Sequence, residues 1–296
     1  MGAEQQLARE TQLRMPYAVI AGLGGIALLA AQVLQVTSAQ PKVDEQTLIL
    51  IQVSMHGPLF VLSTVINGAG LIALSLTLGF LFRAARIRRP ELPSWMRSIA
   101  ILGAAVATIL GIAFGVAYAV KAHQFVIHTP ESYVQANAVG QSAVIKVTEN
   151  ASLAGLALLA TGWVMVSLHA MRVGLLTKFM GYLGMVAAVS MILPLFNAFL
   201  PGSSFIVQVF WLVAVAFVLS GRWRNEPEAW RAGKAIPWPS AAEVREQRQR
   251  AAGRGDGRGK PAGRPAGKAA SGDSQTVTTV TRTRSTTPKR KRKRRK

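Results

Sequence analysis

Three kinds of residue are missing or scarce, and each absence removes a class of function. There is no cysteine, which excludes a disulfide-framed secreted domain and all thiolate chemistry. Acidic residues are few, 13 against 34 Lys+Arg, and there are 4 histidines. Charge and histidine are wholly absent from six apolar windows, at residues 17–36, 59–82, 99–120, 151–168, 179–200 and 205–219. Buried helices of a large soluble protein usually carry charge on one face, so a run of uncharged windows does not fit that class. Proton relays, voltage sensors and most ion-coupled transporters need an ionisable group at membrane depth. Intramembrane hydrolases need a general base or a metal, and bis-imidazole haem needs membrane histidines. No H-E-x-x-H, Walker-type loop or dinucleotide fingerprint occurs in the chain. No enzyme activity and no cofactor is therefore assigned.

What is present divides sharply. Half of the 296 residues are hydrophobic and the mean hydropathy is positive, yet the net charge is +21. From residue 221 onward there are 22 Lys+Arg and 6 Asp+Glu; residues 1–220 hold 12 and 7. The chain is an apolar body with a basic tail. A helix rises 1.5 Å per residue and needs about 20 apolar residues to span a bilayer core. We therefore expect an all-α, polytopic membrane protein of about six transmembrane helices with a disordered basic C-terminal tail. The expected parts are an N-terminal segment (1–16), a six-span domain (17–219), a juxtamembrane Trp/Pro segment with a short charged helix (220–252) and the tail (253–296). The first window is read as an uncleaved span, because it is longer than a signal peptide's apolar region.

Lys/Arg bias sets orientation. Arg9, Arg14, Arg83, Arg86, Arg88, Arg89, Arg97, Arg172 and Lys178 fall on one side; Lys42, Lys121 and Lys146 fall on the other. Both termini are thus expected in the cytoplasm, with the protein in the cytoplasmic membrane. On the outer side, Leu48, Ile49, Leu50 and Ile51 read as a short surface helix or an extension of the second span. Residues 132–147 read as an outward extension of the fourth span, with Lys146 and Glu149 as neighbours on one face.

The third window carries Gly103, Ala107, Gly111, Gly115 and Ala119 at intervals of four. Small residues so spaced form a flat stripe that lets a neighbouring backbone approach closely. Bundle packing is the expected use, with a homo-oligomer face as the alternative, and Gly111→Leu should break either. Gln32, Asn67, Asn197 and Gln208 are the amides within the windows that form a candidate polar pathway; otherwise they bond across helices. His56, His123 and His128 share the outer side and are the candidates for zinc. The five-residue interval of the last two is no recognised ligand spacing, so no metal is assigned.

Past the sixth window come Trp223, Trp230 and Trp238 with Pro227, Pro237 and Pro239. Tryptophans near a span end commonly anchor in the headgroup region. Ser240 with Glu243 reads as a capping box for a short helix over 241–252. Residues 253–272 are too rich in Gly, Pro and charge to fold. The chain ends in eight basic residues, Lys289, Arg290, Lys291, Arg292, Lys293, Arg294, Arg295 and Lys296. Such clusters beside a membrane attract anionic lipid. Nucleic acid, the competing polyanion, is not assigned because no binding fold accompanies the tail, and no protein partner is identified. Thr286, Thr287 and Pro288 beside the cluster offer a phosphorylation site that would weaken lipid contact.

Residues 171–184, from Met171 through Arg172, Gly174, Leu175 and Leu176 to Gly181 and Gly184, resemble an R-x-G-L-L-P-x-x-L-G-x-L-G turn. That turn belongs to multi-pass bacterial membrane families of unknown function. Thr177 stands where the pattern carries Pro. Glu228, Ala229, Trp230 and Arg231, with residues 236–243, are similar to tails of uncharacterised actinobacterial membrane proteins. The resemblance implies membrane placement and no particular activity. The reading that follows is a non-catalytic scaffold or regulatory protein whose basic tail contacts anionic lipid. A facilitator or small-solute transporter with an uncharged polar pathway is the alternative, and a membrane-embedded metal or cofactor protein is the second.

Overall fold

The computed structural model describes residues 3–39, 46–128, 133–193, 203–223 and 226–239, and beyond them 242, 243, 245, 246, 249 and 250. Two compact units divide at Ser240. In the second, the described residues are helical, and Arg250 pairs with Glu246 at 3.5 Å. The expected tail lies outside the described residues.

The first unit is helical, with no strand among its described residues. Its elements are α1 (Ala3–Ala39), α2 (Gln46–Met55), α3 (Gly57–Arg88), α4 (Trp95–His128), α5 (Tyr133–Gly140), α6 (Ala143–Arg172), α7 (Lys178–Ile192), α8 (Ser203–Leu219) and α9 (Ala229–Ala232). Four of them, α1, α3, α4 and α6, are long and apolar enough to cross a membrane. The two remaining windows occur as the shorter apolar helices α7 and α8. Residues 194–202, which complete the fifth window, lie outside the described residues.

Each long helix outruns its window. α1 begins well before residue 17 and runs through Pro16. α3 starts with Pro58 in its first turn, where the missing N–H costs no hydrogen bond, and ends on Arg86 and Arg88. α6 begins at Ala143, so the expected outward extension is broken between α5 and α6 by Gln141 and Ser142. Lys146 and Glu149 meet at 3.1 Å.

The six apolar helices close a ring. α1 packs on α3, α3 on α4, α4 on α6, α6 on α7, α7 on α8, and α8 returns to α1. Its core holds Trp163 and Trp211 with ring centroids 4.9 Å apart, both fully buried. Exposed apolar side chains such as Leu23, Ile26, Ile109 and Ile206 cover the ring's outside. That pattern suits a hydrocarbon surround.

Small residues set the closest helix approaches. A methyl at Gly155 would stand 2.5 Å from Ala107 N, and one at Gly103 would stand 2.8 Å from Gly155 O. A methyl at Gly24 would reach Ala73 Cβ at 2.8 Å, so α1 and α3 use the same device. At the end of the bundle away from Arg88, α2 packs on α4 and α5. Leu50 and Val53 are buried with Phe60, Ala122, Phe125 and Ala136 in a separate small core. The Leu48–Ile51 patch therefore caps the bundle as its own helix, separated from α3 by His56.

Candidate functional site at the arginine-rich end

The start of α1, the α3–α4 hairpin, the α6–α7 turn and the end of α8 gather at one end of the ring. The α6–α7 turn is the segment that carries the R-x-G-L-L resemblance. α6 ends at Arg172 with Val173 as its cap, and Gly174 just beyond adopts φ +80°. A side chain would be strained in that left-handed conformation, and its Cβ would collide with Ile236 O. The N–H groups of Leu175 and Leu176 both return to Ala170 O, at 2.9 and 3.3 Å, which satisfies an orphan carbonyl of the helix end. Both leucines are fully buried. Thr177, in place of Pro, caps α7 by accepting the Met180 N–H at 3.2 Å.

The second resembling segment docks on this first one. Residues 226–239 form a strap across the bundle end. The Trp230 indole donates to Leu175 O at 2.9 Å, the Trp238 indole to Leu176 O at 2.8 Å, and Ile236 N–H to Val173 O at 3.2 Å. Lys178 Nζ donates to Pro239 O at 2.7 Å. Trp230 is 4% exposed, so it is a core residue of the strap and not the headgroup anchor expected from its position. A tryptophan next to a span end looks the same in sequence whether its N–H meets lipid headgroups or protein carbonyls.

Two arginines lock the strap to the helices, Arg14 through an ion pair and Arg88 through a main-chain carbonyl. Arg88, with no exposed side-chain surface, pairs with Glu10 at 2.9 Å. It also donates to Ala229 O and to Ala84 O, both at 2.9 Å. Arg14 pairs with Glu226 at 2.6 Å and donates to Val218 O in the last turn of α8 at 2.9 Å. Both guanidiniums also lie near the Trp230 ring, 4.7 Å from its centroid for Arg14 and 5.4 Å for Arg88. Phe80 stacks beside it at 6.1 Å. One indole thus joins α1, α3, the α6–α7 turn and the strap. Sequence reading missed this node. Its one local sign was acidic Glu10 in a basic segment ahead of a span.

The residues singled out by sequence fall in separate places. In the small-residue stripe, Gly103 and Ala107 face α6, and a methyl at Gly111 would meet Ser152 Oγ at 3.3 Å. Ser152 Oγ also donates to Ala107 O at 3.2 Å. A methyl at Gly115 would instead meet Thr64 of α3 at 2.6 Å, and Ala119 lies beside Gly57. The stripe thus serves two neighbours within its own chain. Of the amides, Asn67 is exposed on α3, Gln32 is half-buried on α1, and Gln208 is buried on α8. Asn197 lies outside the described residues.

His56 Nδ1 is 3.2 Å from Gln52 O, and His123 is exposed. The side chain of His128 lies outside the described residues, as do Lys289 through Lys296. Among the described residues no three of His, Asp and Glu come together as a metal site.

Cavities open at the arginine-rich end, among them one of about 220 Å³ between the α6–α7 turn and the strap, lined by Arg172, Lys178, Tyr182 and Trp238 with others. Another of about 240 Å³ is lined by Arg9, Glu10, Leu13, Phe80, Arg83 and Ala84 among others. A third, about 680 Å³, lies on the α3–α4 hairpin. None of the three is lined by Gln32, Asn67 or Gln208. The side chains gathered there offer guanidiniums, indoles and main-chain carbonyls, groups suited to holding anions and chain segments.

No family model, no curated protein and no solved structure matches the chain. The four apolar helices are compatible with a multi-pass membrane protein.

Proposed function

We propose that this chain is a six-span protein of the cytoplasmic membrane with both termini in the cytoplasm. It acts as a non-catalytic scaffold or regulatory platform, and its basic tail engages anionic lipid. The observation that carries this reading is the strap. Residues 226–239 are held by three main-chain acceptors of the α6–α7 turn, by the Arg14–Glu226 pair and by Arg88, which donates to Ala229 O while paired with Glu10. A chain that merely trailed from its last helix would need no such anchorage. An anchored strap gives the following basic segment a fixed point of departure on the arginine-rich side, where Lys/Arg bias puts the cytoplasm. Clustered basic residues near an anionic surface each contribute about 1 kcal/mol, so eight together suffice for stable contact.

The chain has no cysteine, which makes a single label straightforward. Ser285→Cys carrying a donor dye, in nanodiscs with an acceptor-labelled lipid, reports how near the tail lies to the bilayer. Energy transfer should be high with phosphatidylglycerol and low with phosphatidylcholine alone. It should fall when residues 289–296 are all replaced by Gln, or in about 1 M salt, where the screening length is near 3 Å. Equal transfer in neutral and anionic discs overturns the tail's role.

A further inference from the structure

The α3–α4 hairpin carries Arg83, Arg86, Arg88, Arg89 and Arg97. Arg88 is committed to Glu10, and Arg89 lies 3.7 Å from Glu91. The other three form no ion pair among the described residues. They converge on one open cavity of about 680 Å³, shared with Phe82, Ile87, Ser94, Ser98 and Ile101, and no carboxylate among the described residues lines it. Arg97 belongs to α4 but reaches across to α3, where a methyl at Gly79 would stand 3.7 Å from its Nε. The cavity also sits at the start of α4, a helix of 34 residues whose N-terminal dipole adds positive potential.

Like charges gathered without a counter-charge are costly, and an anion relieves that cost. The walls decide which anion. Ile101 lines the cavity and is 42% exposed. Ile72 and Leu76 of α3, at helical spacing from Gly79 and Arg83, are also exposed, as is Ile109 further along α4. An apolar track thus runs from the arginines along the two helices in the membrane-ward direction. A soluble phosphate would satisfy the charge and leave this track empty. A zwitterionic lipid would bring its own cation among three arginines. A headgroup with two phosphodiesters neutralises two of them and places its acyl chains on the track. Basic pockets between spans on the cytoplasmic side are suited to such lipids.

We propose that the Arg83–Arg86–Arg97 cavity is a binding site for a doubly anionic phospholipid of the cardiolipin type. The inference rests on the membrane placement proposed above, but not on the tail.

The test is native mass spectrometry of the full-length chain in mild detergent, titrated separately with cardiolipin and with phosphatidylcholine. Wild type should retain one tightly held cardiolipin. Arg83→Gln/Arg86→Gln/Arg97→Gln should weaken that retention about tenfold or more, the scale of one lost charged hydrogen bond or greater. Ser98→Glu places a carboxylate in the cavity at a position where an acid favours the helix start, so it keeps the fold while repelling the lipid. It should lose the cardiolipin as well. Replacing residues 289–296 by Gln should leave this lipid bound, which separates the site from the tail. The proposal is overturned if Ser98→Glu retains cardiolipin like wild type, or if phosphatidylcholine is held as tightly. Displacement of the lipid by inorganic phosphate at about ten times its concentration, the mark of a soluble-anion site, also overturns it.

Discussion

In the middle of the bundle α4 and α6 meet through Gly103, Ala107 and Gly155, residues without charge or length. At the arginine-rich end α1, α3 and the strap meet through Glu10, Arg88, Arg14 and Trp230, among the longest and most polar side chains available. On the membrane placement proposed above, the two regions face different solvents. Lipid tails are as apolar as leucine, so helices in the middle gain little by hiding apolar surface. They associate by close packing, which small residues permit. At the end, carbonyls freed where α6 and α8 stop need donors. Arg14 supplies one to Val218 O and Trp230 another to Leu175 O. Steric tightness therefore governs stability in the first region, and completeness of partners governs it in the second.

The largest expected effect breaks the first half of that comparison. Gly155→Leu drives a side chain into α4, where Ala107 N already stands 2.5 Å from the position of a first carbon. Backbone cannot rotate away as a side chain can, so the cost should reach about 4 kcal/mol or more. Loss of the monodisperse folded species in size-exclusion chromatography is the readout. Gly111→Ala should be far milder, because its nearest neighbour is the Ser152 hydroxyl at 3.3 Å. The structure thus moves the sensitive position from Gly111, favoured by the GxxxG spacing, to Gly103 and Gly155. Equal tolerance of Gly155→Leu and Gly111→Ala would mean that α4 and α6 do not approach so closely.

Arg88→Met is next. It strands Glu10 beneath the strap, and a buried carboxylate without its partner costs about 3–5 kcal/mol. Adding Glu10→Leu should restore most of the loss, since a buried pair replaced by apolar residues is often neutral. Thermal unfolding in detergent measures both. If the double variant were as unstable as the single one, the bonds from Arg88 to Ala229 O and Ala84 O would outweigh the ion pair.

Much of the middle was legible because its signals are local. Uncharged windows marked the helices, and intervals of four along residues 103–119 marked a packing face. Sequence could not tell which neighbour each small residue meets, and the stripe proved to serve α6 at Gly103 and α3 at Gly115. Nor could it phase the amides. A span that is apolar all round has no polar face to orient it, so Asn67 gave no sign of pointing outward. The end was less legible for the opposite reason. Arg88 and Glu10 are 78 positions apart, and Arg14 and Val218 are 204 apart. No periodicity links such pairs. What sequence did hold was the two resembling segments, at residues 171–184 and 228–243, whose contact with each other became apparent only in three dimensions.

The smallest contrast sharpens the comparison most, because it uses one substitution in both regions. Trp230→Phe removes the donor from Leu175 O in a buried place and weakens the ring that faces Arg14 and Arg88. An unsatisfied buried acceptor costs about 1–3 kcal/mol, and phenylalanine is a poorer cation–π partner than tryptophan. Trp163→Phe removes an indole of equal size from the core, where Trp163 is fully buried but its Nε1 has no hydrogen-bond partner among the described residues. There the lost area and the lost contact with Trp211 are offset by freeing a desolvated N–H, and the net change should stay within about 1 kcal/mol. Trypsin provides a second readout: the Arg231 and Lys234 side chains are exposed already, but cleavage beside them needs the backbone of the strap to leave the bundle. Cleavage there should quicken in Trp230→Phe and stay at the wild-type rate in Trp163→Phe. If both variants lost the same stability and were cut at the same rate, tryptophan would be serving as bulk in both places. The strap would then be held by its remaining contacts, the Arg14–Glu226 pair and the bonds at Ala229, Ile236, Trp238 and Pro239.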